Sequence, residues 1–349
     1  MKMFTKLALV SSMAISANAM AMQSMDDAAL SAATGQDGIN IGIGISKIEI
    51  EKLFIHDNDG LSSQDSKGQD IAKGSAGYGG TSTAGAIVIK GNGKSGDVNE
   101  KFGVVVTANY NSLLASHNLA DITIDSDAGT DGAFLNIGAA VSGLNISIGE
   151  IGVTASGTQG SAVNDDGKTS ASLIRRGGTA SNYNAILSGL SLVTGKMDAN
   201  IQIGSAPQGA MIKLSTTMQG GLEIKNLGIL DNSTNGATYA YDTSSGSAVP
   251  VKTNNPGEIF IESIKVADAN SKDLAINASV RVFDTSSNST DKNKGFIQID
   301  SASGPIDNYV KGIHLGARNG GSIGDVEIQG LQTYNTLGGK GSTITISGR

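Results

Sequence analysis

The chain reads as an all-β protein, elongated and built from glycine-rich antiparallel sheets of sandwich or solenoid-like form, with one short helix near the N-terminus. Three observations predict this. Aliphatic residues alternate along short runs, as at Ile39, Ile41, Ile43 and Ile45, which is the two-residue period of a strand. The 349 residues include 48 glycines and no tryptophan, with aromatics at 4%, a composition suited to thin, turn-rich sheets. Third, one spacing of four aliphatic residues recurs along the chain.

That spacing is clearest at Ile48, Ile50, Leu53 and Ile55, which a turn former, Asp57, follows. It returns as Leu222, Ile224, Leu227 and Ile229, and as Ile259, Ile261, Ile264 and Val266. Ile146, Ile148, Ile151 and Val153 form a further copy, and Val326, Ile328 and Leu331 begin another. In a regular strand the first pair and the second pair would face opposite ways. Either a bulge near Lys52, Asn226 or Ser263 returns all four to one face, or the strand changes partner midway. β-Branched side chains favour strand over helix at all these positions.

Taken in order, the chain opens with Lys2 and Lys6, an apolar run from Leu7 to Ile15, and small residues at Ala17-Asn18-Ala19 and Ala19-Met20-Ala21. This is the pattern of a secretory leader over 1–21. Residues 22–38 follow as a short helix and turn: Ser24 caps it, Asp26 and Asp27 suit its first turn, and Gly35 ends it. Here Asp26-Asp27-Ala28-Ala29-Leu30-Ser31, then Thr34-Gly35-Gln36-Asp37-Gly38-Ile39 and the alternating Ile-Gly run, resemble the FilA-type pilus-system proteins of Gram-negative bacteria. The diagnostic match covers about 18 residues behind the leader. The resemblance implies a surface-filament setting and brings no catalytic residues with it.

From 39 to 349 the chain reads as one β-rich region, with polar segments at 157–172 and 232–257 as the places where it would subdivide. Residues 57–85 are a long polar loop, strands resume at 86–90 and 102–109, 113–119 forms a short helical turn, and 122–125 another strand. Three hairpins are expected. One returns at Ser142-Gly143 into the Leu144–Val153 unit, one at Gln219-Gly220-Gly221 into the Leu222 unit, and one at Asn319-Gly320-Gly321 into Val326. The units begin at irregular intervals, which ranks a strict solenoid lower. Ser342–Ser347 makes a terminal strand.

Composition bounds the function. The formal charge is −7, and loss of the leader would remove two lysines and no acid, leaving about −9, a poor match to nucleic acid or anionic lipid. Cysteine is absent, so disulfides and thiolate chemistry are excluded. No run approaches the roughly 20 apolar residues of a transmembrane helix, and the strands lack the aromatic girdles of an outer-membrane barrel.

Three histidines, His56, His117 and His314, stand apart without metal-site spacing and read as surface or strand-edge side chains. No Gly-x-Ser-x-Gly elbow stands at a strand-to-helix turn. Asp125, Asp127 and Asp131 occupy positions one, three and seven of a glycine-bearing turn, which would offer oxygens to Ca²⁺, and Asp57-Asn58-Asp59-Gly60 is a shorter version. Asn136 stands where a calcium loop needs a bidentate Glu, no helix pair flanks it, and Asp and Gly also make ordinary turns. No other cofactor is expected. Ile344 and Ile346 in the terminal strand are candidate partner-binding residues, since an edge strand can complete a neighbour's sheet. The reading is an exported, non-catalytic structural or adhesive component of a bacterial surface filament. Its partners would be other filament or outer-membrane proteins or further copies of itself. The alternative is a secreted polysaccharide-active enzyme on a β scaffold.

Overall fold

Ile39–Ile43 (β1) alternates isoleucine with small residues and runs on through Lys47–Ile50 (β2) and Lys52–His56 (β3). The computed structural model describes residues 38–65, 67–72, 75, 79–163, 168–234, 238–242, 247–251, 255–284 and 295–347. The expected leader, and the expected helix apart from Gly38, lie outside these residues. The other strands are Gly85–Lys90 (β4), Val104–Ala108 (β5), Ala120–Asp127 (β6), Phe134–Val141 (β7), Leu144–Ile148 (β8) and Glu150–Ala155 (β9). They continue as Asn184–Val193 (β10), Met197–Gly204 (β11), Ile212–Met218 (β12), Leu222–Asp231 (β13), Thr238–Asp242 (β14) and Ser247–Val251 (β15). Gly257–Asp268 (β16), Leu274–Phe283 (β17), Phe296–Ser301 (β18), Ile306–Gly316 (β19), Ser322–Leu331 (β20) and Ser342–Ser347 (β21) complete the set.

The chain is all-β, with two large antiparallel sheets in a sandwich-like arrangement. One sheet has eight strands in the order β1-β6-β7-β11-β12-β17-β18-β21. The other has eleven, running β2-β5-β8-β10-β13-β16-β19-β20, with β3, β4 and β9 extending its first part. Among the described residues β14 and β15 pair only with each other. Both orders follow from one path. The chain makes eight traverses, each contributing one segment to either sheet: β1 with β2 and β3, then β4 and β5 with β6, β7 with β8 and β9, β10 with β11, β12 with β13, β16 with β17, β18 with β19, and β20 with β21. Each traverse lies antiparallel to the next in both sheets at once, so the molecule is one long meander folded along a line of corners.

Those corners correct two of the expected hairpins. β7 pairs with β6 and β11, and β8 with β5 and β10, so Ser142-Gly143 joins two sheets and closes no hairpin. Likewise β12 pairs with β11 and β17 while β13 pairs with β10 and β16, and Gln219-Gly220-Gly221 is a corner. Positive φ at Gly220 (81°) and Gly221 (73°) serves the sharp change of direction there, as it would have served a hairpin. The fully buried Ser142 fixes the other corner: its Oγ donates to Asn118 O (2.7 Å) and accepts the Leu114 N–H (3.0 Å). The third expected hairpin, β19 to β20, is one. Residues 113–119 form no helix, only a turn in which His117 N–H donates to Leu114 O at 3.0 Å.

The recurring aliphatic unit has its break where the second sheet kinks. Between β2 and β3 the break falls at Glu51, and the partner changes from β5 to β4. In β13 the chain keeps the same partners, β10 and β16, and the break is Asn226 in the left-handed region at φ 57°, where the register against β10 shifts. Both mechanisms read from the spacing therefore occur. Neighbouring kinks are tied together, since Gly103 N–H donates to Glu51 O (3.0 Å) and Gly149 N–H to Gly103 O (2.8 Å).

Pairing register lines the aliphatic residues into ladders across the strands. In the eight-stranded sheet one ladder runs Ile39, Ile124, Ile137, Ile201, Ile212, Val280, Ile299, Ile344. In the second sheet another runs Ile48, Val106, Ile146, Leu192, Ile224, Ile264, Val310, Val326. Beyond the kinks a third joins Leu53, Ile89, Ile151, Leu187, Ile229, Ile259 and Leu315. Each cross-strand aliphatic pair contributes roughly 0.2–1 kcal/mol, so stability is distributed along the ladders. Deep burial is local, at Ala86, Val88 and Val105 in β4 and β5, at Ala210 and Met218 around β12, and at Phe260 in β16.

The long connections leave from one side. β3 to β4 (57–84), β9 to β10 (156–183) and β13 to β16 (232–256) all emerge at the end of the second sheet farthest from the corners. The polar segments 157–172 and 232–257 lie in the last two, and the strands on either side of each pair directly.

Candidate functional site

The acidic turn resolves into strand and turn chemistry. Asp125 and Asp127 belong to β6, opposite Asn136 and Phe134 of β7, and Asp131 lies in the connection between them. Asp127 Oδ1 accepts the Gly129 N–H at 2.6 Å, which commits one carboxylate oxygen to closing the turn. In the same way Asp57 Oδ1 accepts N–H groups from Asp59 (3.3 Å) and Gly60 (3.2 Å). Among the described residues no group of three or more His, Cys, Asp or Glu is arranged to hold a metal ion.

The histidines are held by separate partners. His56 Nδ1 is 2.7 Å from Ser156 Oγ, and its ring stacks on Phe54. Burial, and then the charge of Arg176, pull its pKa below the usual imidazole range. His117 adopts φ 59° in its turn. His314 is buried, and since Gly320 O can only accept, its Nδ1 carries the hydrogen of their 2.7 Å bond. Its Nε2 stands 3.3 Å from Glu262 Oε1.

One polar cluster escaped the sequence. Glu258 of β16 is buried, and Arg318 holds it by two bonds, Nη2 to Oε1 at 2.7 Å and Nε to Oε2 at 3.1 Å. Ser188 Oγ donates to Glu258 Oε1 at 2.6 Å and accepts from Arg318 Nη2 at 2.7 Å, while the guanidinium lies 4.8 Å from the Phe260 ring centre. Burial pushes the Glu258 carboxyl up, but hydrogen bonds from Arg318 and Ser188 and the Arg318 charge outweigh it, and its pKa falls below the usual carboxylate range. Every polar atom of this trio that could attack or transfer a proton is engaged by another member. Its role is to clamp β10, β16 and the β19–β20 turn together. A shallow polar depression of about 530 Å³ where the sheets meet includes Glu223, Lys265, Lys272 and Asp273, with no aromatic side chain in its wall.

Part of the exposed apolar surface lies at the sheet edges. Among the described residues β1 pairs only with β6, β2 only with β5 and β3 only with β4, so no described strand lies on the other side of the first traverse. β20 pairs only with β19 and β21 only with β18, leaving the last traverse in the same condition. The ladders emerge at both: Ile39 is 59% exposed and Ile344 52%, Ile48 37% and Val326 45%. Ile346, the other residue expected to meet a partner, is exposed beside Ile344. Thr343 Oγ1 and Arg281 Nη1 both donate to Asp300, at 2.7 and 2.6 Å, and tie β17, β18 and β21 together beneath this edge.

This combination defines a class, an all-β meander in which, among the described residues, no strand lies beyond the first and last traverses and the aliphatic ladders end exposed there. A family model described as a family of unknown function (DUF6160) matches residues 1–106, which reach from the N-terminus into β5. The chain matches no curated protein and no solved structure.

Proposed function

We propose that this protein is an exported, non-catalytic structural or adhesive component of a bacterial cell-surface filament system. The observation that carries this reading is the pair of open edges. Natural sheet proteins usually blunt an apolar edge or cover it, because free strands recruit other strands. Here both edges present β-branched residues in regular alternation, a form useful to a protein whose task is to join others. The acidic and histidine side chains support it by being engaged in turns and clamps. The leader pattern at 1–21 supports an export route and the resemblance at Asp26–Ile39 supports the filament setting.

Deletion of the gene in the source bacterium tests it. Surface filaments seen by electron microscopy should be lost or lose attachment, and the protein should be found in the surface fraction of the wild type. Filaments and attachment that survive deletion, together with glycan cleavage by the purified protein, would replace this reading with the polysaccharide-active enzyme.

A further inference from the structure

We propose that copies of this chain join head to tail, the Ile39–His56 traverse of one copy adding to the Ser322–Ser347 traverse of the next, so that both sheets extend across the junction together. This rests on the filament reading and names its joint.

The argument begins with direction. The first traverse runs from the eight-stranded sheet into the second sheet, and the last runs from the second sheet back into the first. Laid antiparallel, the first traverse of one copy therefore sets each sheet against its like in the other. Two last traverses laid antiparallel would set the eight-stranded sheet against the second sheet, with corners opposite kinks. A two-fold dimer through a single edge is thus mismatched, and the head-to-tail join is matched. A join between unlike surfaces that does not close gives an open filament.

Register makes the same choice. The ladder that ends at Ile344 begins at Ile39, and the one that ends at Val326 begins at Ile48. Placing Ile39 of the incoming copy opposite Ile344, and Ile48 opposite Val326, continues both ladders without a step. The second pairing also sets Lys47 directly opposite Glu327, a complementary charge beside the apolar contact. With eight traverses at about 4.8 Å spacing, each copy would add about 38 Å along the filament.

The chain has no cysteine, so crosslinking is clean. A mixture of Lys47→Cys and Glu327→Cys copies should form a disulfide-linked heterodimer under mild oxidation, and either variant alone should give far less. In sedimentation, Ile39→Lys/Ile48→Lys blocks the head and Ile344→Lys/Val326→Lys blocks the tail. Each alone should raise the concentration at which polymers appear at least about tenfold. The two mixed should form one-to-one dimers and nothing longer, because one free head and one free tail remain. Matching circular dichroism and melting curves show that the variants fold.

Wild-type chain that stays monomeric at every concentration overturns the proposal, as does a head-blocked or tail-blocked variant that dimerises with itself. An edge covered by residues 1–37 of the same chain would give the first of these results. The two readings fail separately. Loss of filaments on deletion, with a monomeric purified chain, leaves the filament reading standing and removes this joint. Polymers of the purified chain, with surface filaments untouched by deletion, do the reverse.

Discussion

Ile39 and Ile344 stand at the two ends of one aliphatic ladder that crosses every strand of the eight-stranded sheet. Both are more than half exposed, whereas the members between them have a neighbour on each side. The same chemical group therefore has unequal effects by position. Ile137→Ala, in the ladder interior, should destabilise the monomer by about 2 kcal/mol. Ile344→Ala should cost less than about 0.5 kcal/mol. Urea denaturation of both variants in dilute solution checks the difference, and equal losses would mean that the ladder does not carry stability.

Glu258 predicts a pH dependence. Its folded pKa is lowered, so its contribution to stability is present above the unfolded carboxylate value of about 4.3 and is lost as pH falls through the folded value. Between about pH 5 and pH 3 the wild type should lose stability that Glu258→Gln does not lose. At pH 7 Glu258→Ala should cost about 3 kcal/mol, since it leaves Arg318 and Ser188 without their shared acceptor. Urea midpoints measured at several pH values separate the two effects.

Gly152 and Tyr183 should be coupled. A Cβ at Gly152 would collide with the Tyr183 ring, which covers it, donates to Glu150 Oε1 at 2.8 Å and lies 4.1 Å beneath Lys90 Nζ. Gly152→Ala should cost about 2 kcal/mol by displacing that ring. In a Tyr183→Ala background the same change should cost much less. A double-mutant cycle by chemical denaturation measures this, and additive effects would rule out the contact.

Asp127 should behave as a turn residue. Its bond to Gly129 N–H is worth about 1 kcal/mol, so Asp127→Ala should lower stability by no more than that. Millimolar Ca²⁺ should leave the melting temperature of wild type and variant unchanged. A calcium-dependent rise, lost in Asp127→Ala, would instead mark the acidic turn as a cation site.

Strand periodicity was legible because it is local: Ile39, Ile41 and Ile43 alternate, and the Ile48 unit shows its own break. Corners were not. Gln219-Gly220-Gly221 carries the positive-φ chemistry of a hairpin, and only the pairing of β12 with β17, residues far ahead in the chain, shows that it turns between sheets. The exposed ends Ile344 and Ile346 could be named from sequence, because a terminal alternating strand is itself an edge signal. Ile39 and Ile48 as their counterparts could not, since that match needs the register of every strand between. Ser188 and Arg318 lie 130 positions apart, and nothing near either marks them as partners of Glu258.

The three long connections at 57–84, 156–183 and 232–256 share one rim, beyond the kinks and away from the corners. Lengthening a loop costs only about 0.6 kcal/mol per doubling, and none of the continuous ladders passes through these segments. Insertions at exposed positions of these segments, away from Ser156, Thr179 and Tyr183, which hold to the neighbouring strands, would change what the surrounding medium meets with little effect on strand pairing. The strand ladders and the rim from which these connections leave are thus separate parts of the molecule. In an assembly, each added copy would repeat that rim along the same side, so a change in one loop would be multiplied down the whole array.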